Sequence, residues 1–119
     1  MLTSSGTANY PIVYRRMGRG PATLNLNNAG QAAVNITGAY VELHGLTITN
    51  VNEDGILADG DYGVIADCRI LGVVKRGIEA DGNYCLFYRN VIYQPGQEGI
   101  RIQDAGKNSM SNRKLVTNR

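Results

Sequence analysis

Asp54-Gly55-Ile56-Leu57-Ala58-Asp59-Gly60, Arg76-Gly77-Ile78-Glu79-Ala80-Asp81-Gly82 and Glu98-Gly99-Ile100-Arg101-Ile102-Gln103-Asp104 are three versions of one pattern. Their glycines fall at 55, 77 and 99, a constant interval of 22 residues. A second series keeps the interval: Tyr40, Tyr62 and Tyr84 each lead into a stretch that ends at Ile48, Ile70 and Ile92. Carried toward the N-terminus, the interval maps Val34 and Ile36 onto Ile56 and Ala58. It also maps Ile12 and Tyr14 onto Val34 and Ile36, and Leu24 and Leu26 onto Leu46 and Ile48. The repeat is thus expected to run ungapped from Tyr10 to about Gly106.

A fixed period of this length is the mark of a solenoid. The apolar residues alternate and are broken by glycine, which suits short strands and tight turns rather than helices of period 3.6. A leucine-rich repeat has a similar length but needs a leucine-dense consensus that is missing here. The expected fold is all-β: a single-stranded parallel β-helix of about five coils. The coil frames are 9–30, 31–52, 53–74, 75–96 and 97–119, behind an arm at 1–8. In Val41-Glu42-Leu43-His44-Gly45-Leu46-Thr47-Ile48, residues Val41, Leu43, Leu46 and Ile48 face inward, and a turn after Leu43 shifts the alternation. Like stacks on like, so the core is one continuous set of columns.

Composition fits one globular domain. The chain has 119 residues, 43% of them hydrophobic, with 15 glycines and no tryptophan. Its net charge of +2 comes from basic and acidic residues that are interleaved. A nucleic-acid or membrane-surface binder needs a patch of one sign, so neither partner is expected. No apolar run approaches the ~18 residues that span a bilayer. The opening Met1-Leu2-Thr3-Ser4-Ser5-Gly6 lacks the basic and apolar regions of a signal peptide. The compartment is therefore left open. Cys68 and Cys85 are too few for a disulfide framework, and Cys68 falls in a core-edge column where a buried, inert thiol is expected.

The segments Gly6-Thr7-Ala8-Asn9-Tyr10-Pro11-Ile12-Val13-Tyr14-Arg15 and Val34-Asn35-Ile36-Thr37-Gly38-Ala39-Tyr40-Val41-Glu42-Leu43-His44-Gly45-Leu46-Thr47-Ile48 resemble the opening coils of right-handed parallel β-helix proteins. That group is the pectin-lyase-like superfamily, which includes alginate- and chondroitin-lyase-type enzymes. The resemblance implies a right-handed coil and, as for many relatives, contact with polysaccharide. It rests on coil motifs that specify architecture; no stretch matches a lyase or hydrolase catalytic motif.

Stacked coils place equivalent residues about 4.8 Å apart, so outward positions form ladders. One reads Val13, Asn35, Leu57, Glu79, Arg101, and its neighbour reads Arg15, Thr37, Asp59, Asp81, Gln103. Asp59, Glu79, Asp81 and Arg101 then share one face. Asp59 and Asp81 could ligate Ca²⁺, which takes oxygen ligands. The carboxylates could also share a proton in acid–base work on a sugar, with arginine neutralising a uronate. Against this, aspartate is favoured beside turns such as those at Gly60 and Gly82. Asp54, Arg76 and Glu98 alternate in sign down one column, and Asp67 stacks on Arg89, as register pairs would. His44 is the sole histidine, so it heads no metal cluster and is expected to face solvent. Tyr40, Tyr62 and Tyr84 are expected to form an aromatic stack at a corner, the alternative being a sugar platform. Asn90 and Asn112, again 22 apart, are expected to satisfy backbone groups within turns.

Val64, Leu71, Leu86, Tyr88, Val91 and Tyr93 are expected to point outward as an apolar flank, a candidate homo-oligomer interface. The functional expectation is a non-catalytic β-helix module that self-associates and contacts carbohydrate. The alternative is a small or truncated polysaccharide lyase or hydrolase using Asp59, Glu79, Asp81 and Arg101.

Overall fold

The computed structural model describes residues 2–15, 22–102, 110–112 and 115–117. Every regular element among them is a strand. The first coils hold β1 (Ile12–Arg15), β2 (Ala22–Ala29), β3 (Val34–Ile36), β4 (Val41–His44) and β5 (Leu46–Val51). Next come β6 (Ile56–Ala58), β7 (Val64–Ala66), β8 (Arg69–Val73), β9 (Ile78–Ala80), β10 (Leu86–Tyr88) and β11 (Val91–Tyr93). The last are β12 (Ile100–Ile102), β13 (Met110–Asn112) and β14 (Leu115–Thr117). Every third strand pairs in parallel, making three sheets in the orders β3-β6-β9-β12, β1-β4-β7-β10-β13 and β2-β5-β8-β11-β14. We call these sheets one, two and three. Four coils carry all three strands, preceded by a partial one that holds β1 and β2.

The expected columns are present from the second coil on. Val34, Ile56, Ile78 and Ile100 stack in sheet one, and Leu43, Ile65 and Phe87 in sheet two. Ile48, Ile70 and Ile92 stack in sheet three. Most of these side chains are fully buried. At roughly 1.5–3 kcal/mol for burying a large aliphatic or aromatic side chain, the columns dominate the stability of the fold. Only three-residue strands are needed, because each side chain is covered by its own copy above and below.

The interval departs from 22 at both ends, so the repeat is not ungapped. Ile12 pairs with Val41 and Tyr14 with Leu43, which puts β1 on sheet two rather than over β3. Leu24 pairs with Ile48, not Leu46, and a bulge restores the 22-residue step at Ala29 and Val51. The place over β3 is taken by the arm, where Leu2 bridges to Ile36. Leu2 donates to the Asn35 carbonyl at 2.7 Å, and the Thr37 N–H donates back to Leu2 at 2.9 Å. At the other end Leu86 pairs with Met110, so Asn112 lies beside Tyr88 and not beneath Asn90.

The corners explain how so short a coil closes. Tyr40, Tyr62 and Tyr84 have φ between 55° and 58°. Gly45, Asp67 and Arg89 repeat the left-handed conformation at the second corner, and Asn50, Gly72 and Gln94 at the third. Left-handed residues other than glycine cost roughly 1–2 kcal/mol each, a cost the stacked coils offset by bonding along the axis. Side chains reach one coil along at each corner: Asp54 Oδ1 accepts from the Arg76 N–H, Asp61 Oδ1 from Asn83 N–H, and Asn90 Oδ1 from Cys68 N–H. No helix among the described residues is long and apolar enough to cross a membrane.

Candidate functional site

Sheet one carries the best-furnished outer face. Leu57, Glu79 and Arg101 stack along β6, β9 and β12 below Asn35, as the ladder expects. Val13 and Arg15 do not join it; they lie against Glu42 and His44 on sheet two. Asp59 and Asp81 follow β6 and β9 at the tyrosine corner, where their N–H groups donate to Ile36 and Ala58. Gln103 lies outside the described residues.

The charges on this face are organised around Arg76, a residue the ladder reading left in a register column. Its guanidinium pairs with Glu79, three residues on, and lies 3.9 Å from Asp54 and 4.0 Å from Glu98. Arg101 lies 3.9 Å from Glu98. The alternating column Asp54, Arg76, Glu98 is therefore real, and so is the Asp67–Arg89 pair at 3.1 Å. Glu79, placed under Arg101 by the repeat, turns along its own coil to Arg76. Pairing across three residues round a corner leaves no trace in a 22-residue alignment.

Asp54, which spacing marked only as a register charge, is buried. Burial pushes its carboxyl above the usual range, the Arg76 N–H opposes that, and a hydrogen bond shared with Glu79 adds to the rise. A legible signal was its place before Gly55, at a turn whose neighbouring coil presents an N–H. Asp59 is exposed, and its carboxyl is raised first by partial desolvation, then by the charges of Asp81 and Glu79. These carboxylates feel one another, but among the described residues no three His, Cys, Asp or Glu side chains converge as a metal shell requires.

The tyrosine corner borders this face. Tyr40 and Tyr62 stack with centroids 4.6 Å apart and planes 1° from parallel; Tyr62 and Tyr84 follow at 5.1 Å and 11°. Tyr62 and Tyr84 are 44% and 55% exposed. The exposed surface of Tyr62 is nonetheless its rim, because neighbouring rings take both of its faces. That arrangement is an aromatic stack and leaves Tyr62 no open face for a sugar.

On the opposite flank, Val64, Leu86 and Tyr88 point outward from sheet two, and Leu71, Val91 and Tyr93 from sheet three. All six are half-buried. They form two strips, because the left-handed Asp67 and Arg89 bend the chain between the sheets and place an ion pair at the corner. The Arg89 guanidinium also lies 5.0 Å from the Tyr88 ring centre. His44 is half-buried, 2.9 Å from Glu42 Oε1, rather than free in solvent. Cys68 is fully buried, and burial raises its thiol pKa, as an inert core thiol requires.

A family model described as "Right handed beta helix region" matches residues 17–119. The chain belongs to the right-handed β-helix family. Its three parallel sheets, each joining strands from successive coils, are the architecture of a parallel β-helix. No curated protein matches the sequence. Among solved structures, the β-helix is similar to the alginate lyase from Paenibacillus sp. str. FPU-7, with a TM-score of 0.76 at 18% identity. The match covers 96% of this chain and 53% of the lyase, so this β-helix spans about half the length of that structure. At this identity the likeness concerns the fold.

Proposed function

We propose that the chain is a non-catalytic β-helix module that self-associates and contacts carbohydrate. The observation that carries this reading is the closure of the sheet-one charges on one another. Arg76 sits among Asp54, Glu79 and Glu98, and Arg101 beside Glu98, so the arginines that would neutralise a uronate already face carboxylates. With Asp59 and Asp81 alongside, the face is acidic and repels a polyuronate rather than drawing it in. The β-helix likeness to a polysaccharide lyase supports carbohydrate contact, and the apolar strips on sheets two and three support association. Sedimentation velocity over a concentration series tests association: a stable monomer throughout would sink that part. Incubation with alginate and pectate tests the non-catalytic part, with no rise in ultraviolet absorbance from unsaturated sugar expected.

One observation favours a second reading, a lyase or hydrolase acting on a carboxylate-bearing glycan. Asp59 holds a proton more tightly than an ordinary carboxyl and neighbours Asp81 and Glu79, an arrangement suited to an acid–base pair. If glycan cleavage is found, Asp81→Ala and Arg101→Ala should abolish it. Cleavage that survives both variants rules out this face as its origin.

A further inference from the structure

Sheet three has the longest strands of the middle coils. Strands β5 and β8 hold six and five residues, against four and three for β4 and β7 of sheet two and three each for β3 and β6 of sheet one. On its outer face Thr47 lies beside Arg69, and Arg69 beside Val91, in one column; Thr49, Leu71 and Tyr93 form the next. Successive rungs are about 4.8 Å apart, so these side chains make a flat patch two columns wide. Each of the three strands has a paired strand on both sides.

The charge on this patch is unlike that of the other faces. Arg76 faces Glu79, Arg89 faces Asp67 and Arg101 faces Glu98. Among the described residues no carboxylate pairs with Arg69, which is exposed. The outward positions of β5, β8 and β11 carry no acidic residue. A guanidinium holds a carboxylate through two parallel N–H···O bonds. Beside Arg69 the patch offers the hydroxyls of Thr47 and Thr49 and the half-buried apolar surface of Leu71, Val91 and Tyr93. An acidic sugar has the matching parts: a carboxylate, hydroxyls on its rim and C–H groups on its faces.

We infer that the outer face of sheet three binds a uronate-bearing glycan. Arg69 holds a sugar carboxylate, Thr47 and Thr49 meet hydroxyls, and Tyr93 covers a ring face. This rests on the carbohydrate contact proposed above and gives that contact a place and a charge. Charge complementarity selects the occupant: the acidic face of sheet one repels a polyuronate, and the unpaired Arg69 attracts it. The strip of Val64, Leu86 and Tyr88 on sheet two is left for self-association.

The test is titration calorimetry of the full chain with oligogalacturonate, with dextran as the uncharged glycan and circular dichroism to check folding. Wild type should bind oligogalacturonate and bind dextran far more weakly. Arg69→Gln should weaken oligogalacturonate binding roughly tenfold or more, the loss expected for a charge-assisted contact. Tyr93→Ala should weaken it as well, and it decides the point if Arg69→Gln fails to fold. Lys75→Gln removes a cation that pairs with Glu53 at another corner and should leave binding unchanged. A wild type that binds neither glycan overturns this inference together with the carbohydrate contact. Dextran bound at least as tightly as oligogalacturonate, or a loss as large in Lys75→Gln as in Arg69→Gln, overturns the role of Arg69 alone. Binding that survives both Arg69→Gln and Tyr93→Ala moves the contact off sheet three and overturns the inference as well.

Discussion

Asn90 and Cys68 are joined across one coil: Asn90 Oδ1 accepts from the Cys68 N–H at 3.0 Å, while Asn90 Nδ2 donates to the Ile65 carbonyl at 3.0 Å. The amide is fully buried, and its two bonds satisfy backbone groups that the left-handed bend at Asp67 and Arg89 turns away from the strand ladders. Its column-mates are Leu46 and Cys68, so a polar residue here is a local answer to that bend. Asn90→Ala strands both a donor and an acceptor. Each stranded group costs about 1–3 kcal/mol, and urea unfolding should show a loss of that order or greater. A loss under half a kilocalorie would mean that water replaces the amide.

The glycine column Gly38, Gly60, Gly82 should be far less tolerant than an ordinary turn glycine. A Cβ on Gly60 would overlap the Gly38 carbonyl, and one on Gly82 the Gly60 carbonyl; both obstacles are backbone. Neither can move without breaking the axial bonds of the corner. Nothing lies within 4 Å of a Cβ on Gly30. Gly60→Ala should therefore cost at least about 1–3 kcal/mol, as forced overpacking does, while Gly30→Ala stays near wild type in thermal unfolding.

Tyr62 tests how stacking and strain divide at its corner. Tyr62→Ala removes two ring contacts, each contributing about 0.5–1.5 kcal/mol, and retains a side chain at φ 57°. Tyr62→Gly removes the same contacts but relieves the left-handed conformation. Both variants should be less stable than wild type, with glycine the milder by roughly 1 kcal/mol. The reverse order in chemical denaturation would show that the corner conformation carries little strain.

Asp59 makes a prediction about acid. Its folded pKa lies above the ordinary value, through partial desolvation of an exposed carboxyl and then the charges of Asp81 and Glu79. Between the ordinary and the raised pKa the folded chain binds more protons than the unfolded one, so this group adds stability as pH falls through that window. Above the raised value the charged form is a net cost to folding. Asp59→Asn should raise stability at neutral pH and flatten the gain on mild acidification. Denaturation curves at neutral and mildly acidic pH check both signs, and an unchanged pH dependence would remove Asp59 from the carboxylate group.

The legibility of this chain follows from its topology. In a parallel solenoid a fixed interval in sequence is a neighbour in space, so Val34, Ile56 and Ile78 announce their contact by spacing alone. The same rule revealed the tyrosine stack, the Asp67–Arg89 pair and the Asp54, Arg76, Glu98 column. It failed where the interval breaks: β1 and β2 shift against the coil below, and Leu2 rather than Tyr14 covers Ile36. It failed also for contacts within a coil, such as Arg76 with Glu79, which a comparison between coils cannot register.

The sequence by itself determined the repeat, the inward columns and thus the fold class, because burial of like upon like leaves a period that anyone can count. The tertiary structure alone decided that Arg76 also engages Glu79, that the outward apolar residues form two strips, and that β1 and β2 shift against the coil below. Those outcomes depend on left-handed corners and on contacts within a coil. Both are set by packing around the chain, which no interval along it encodes.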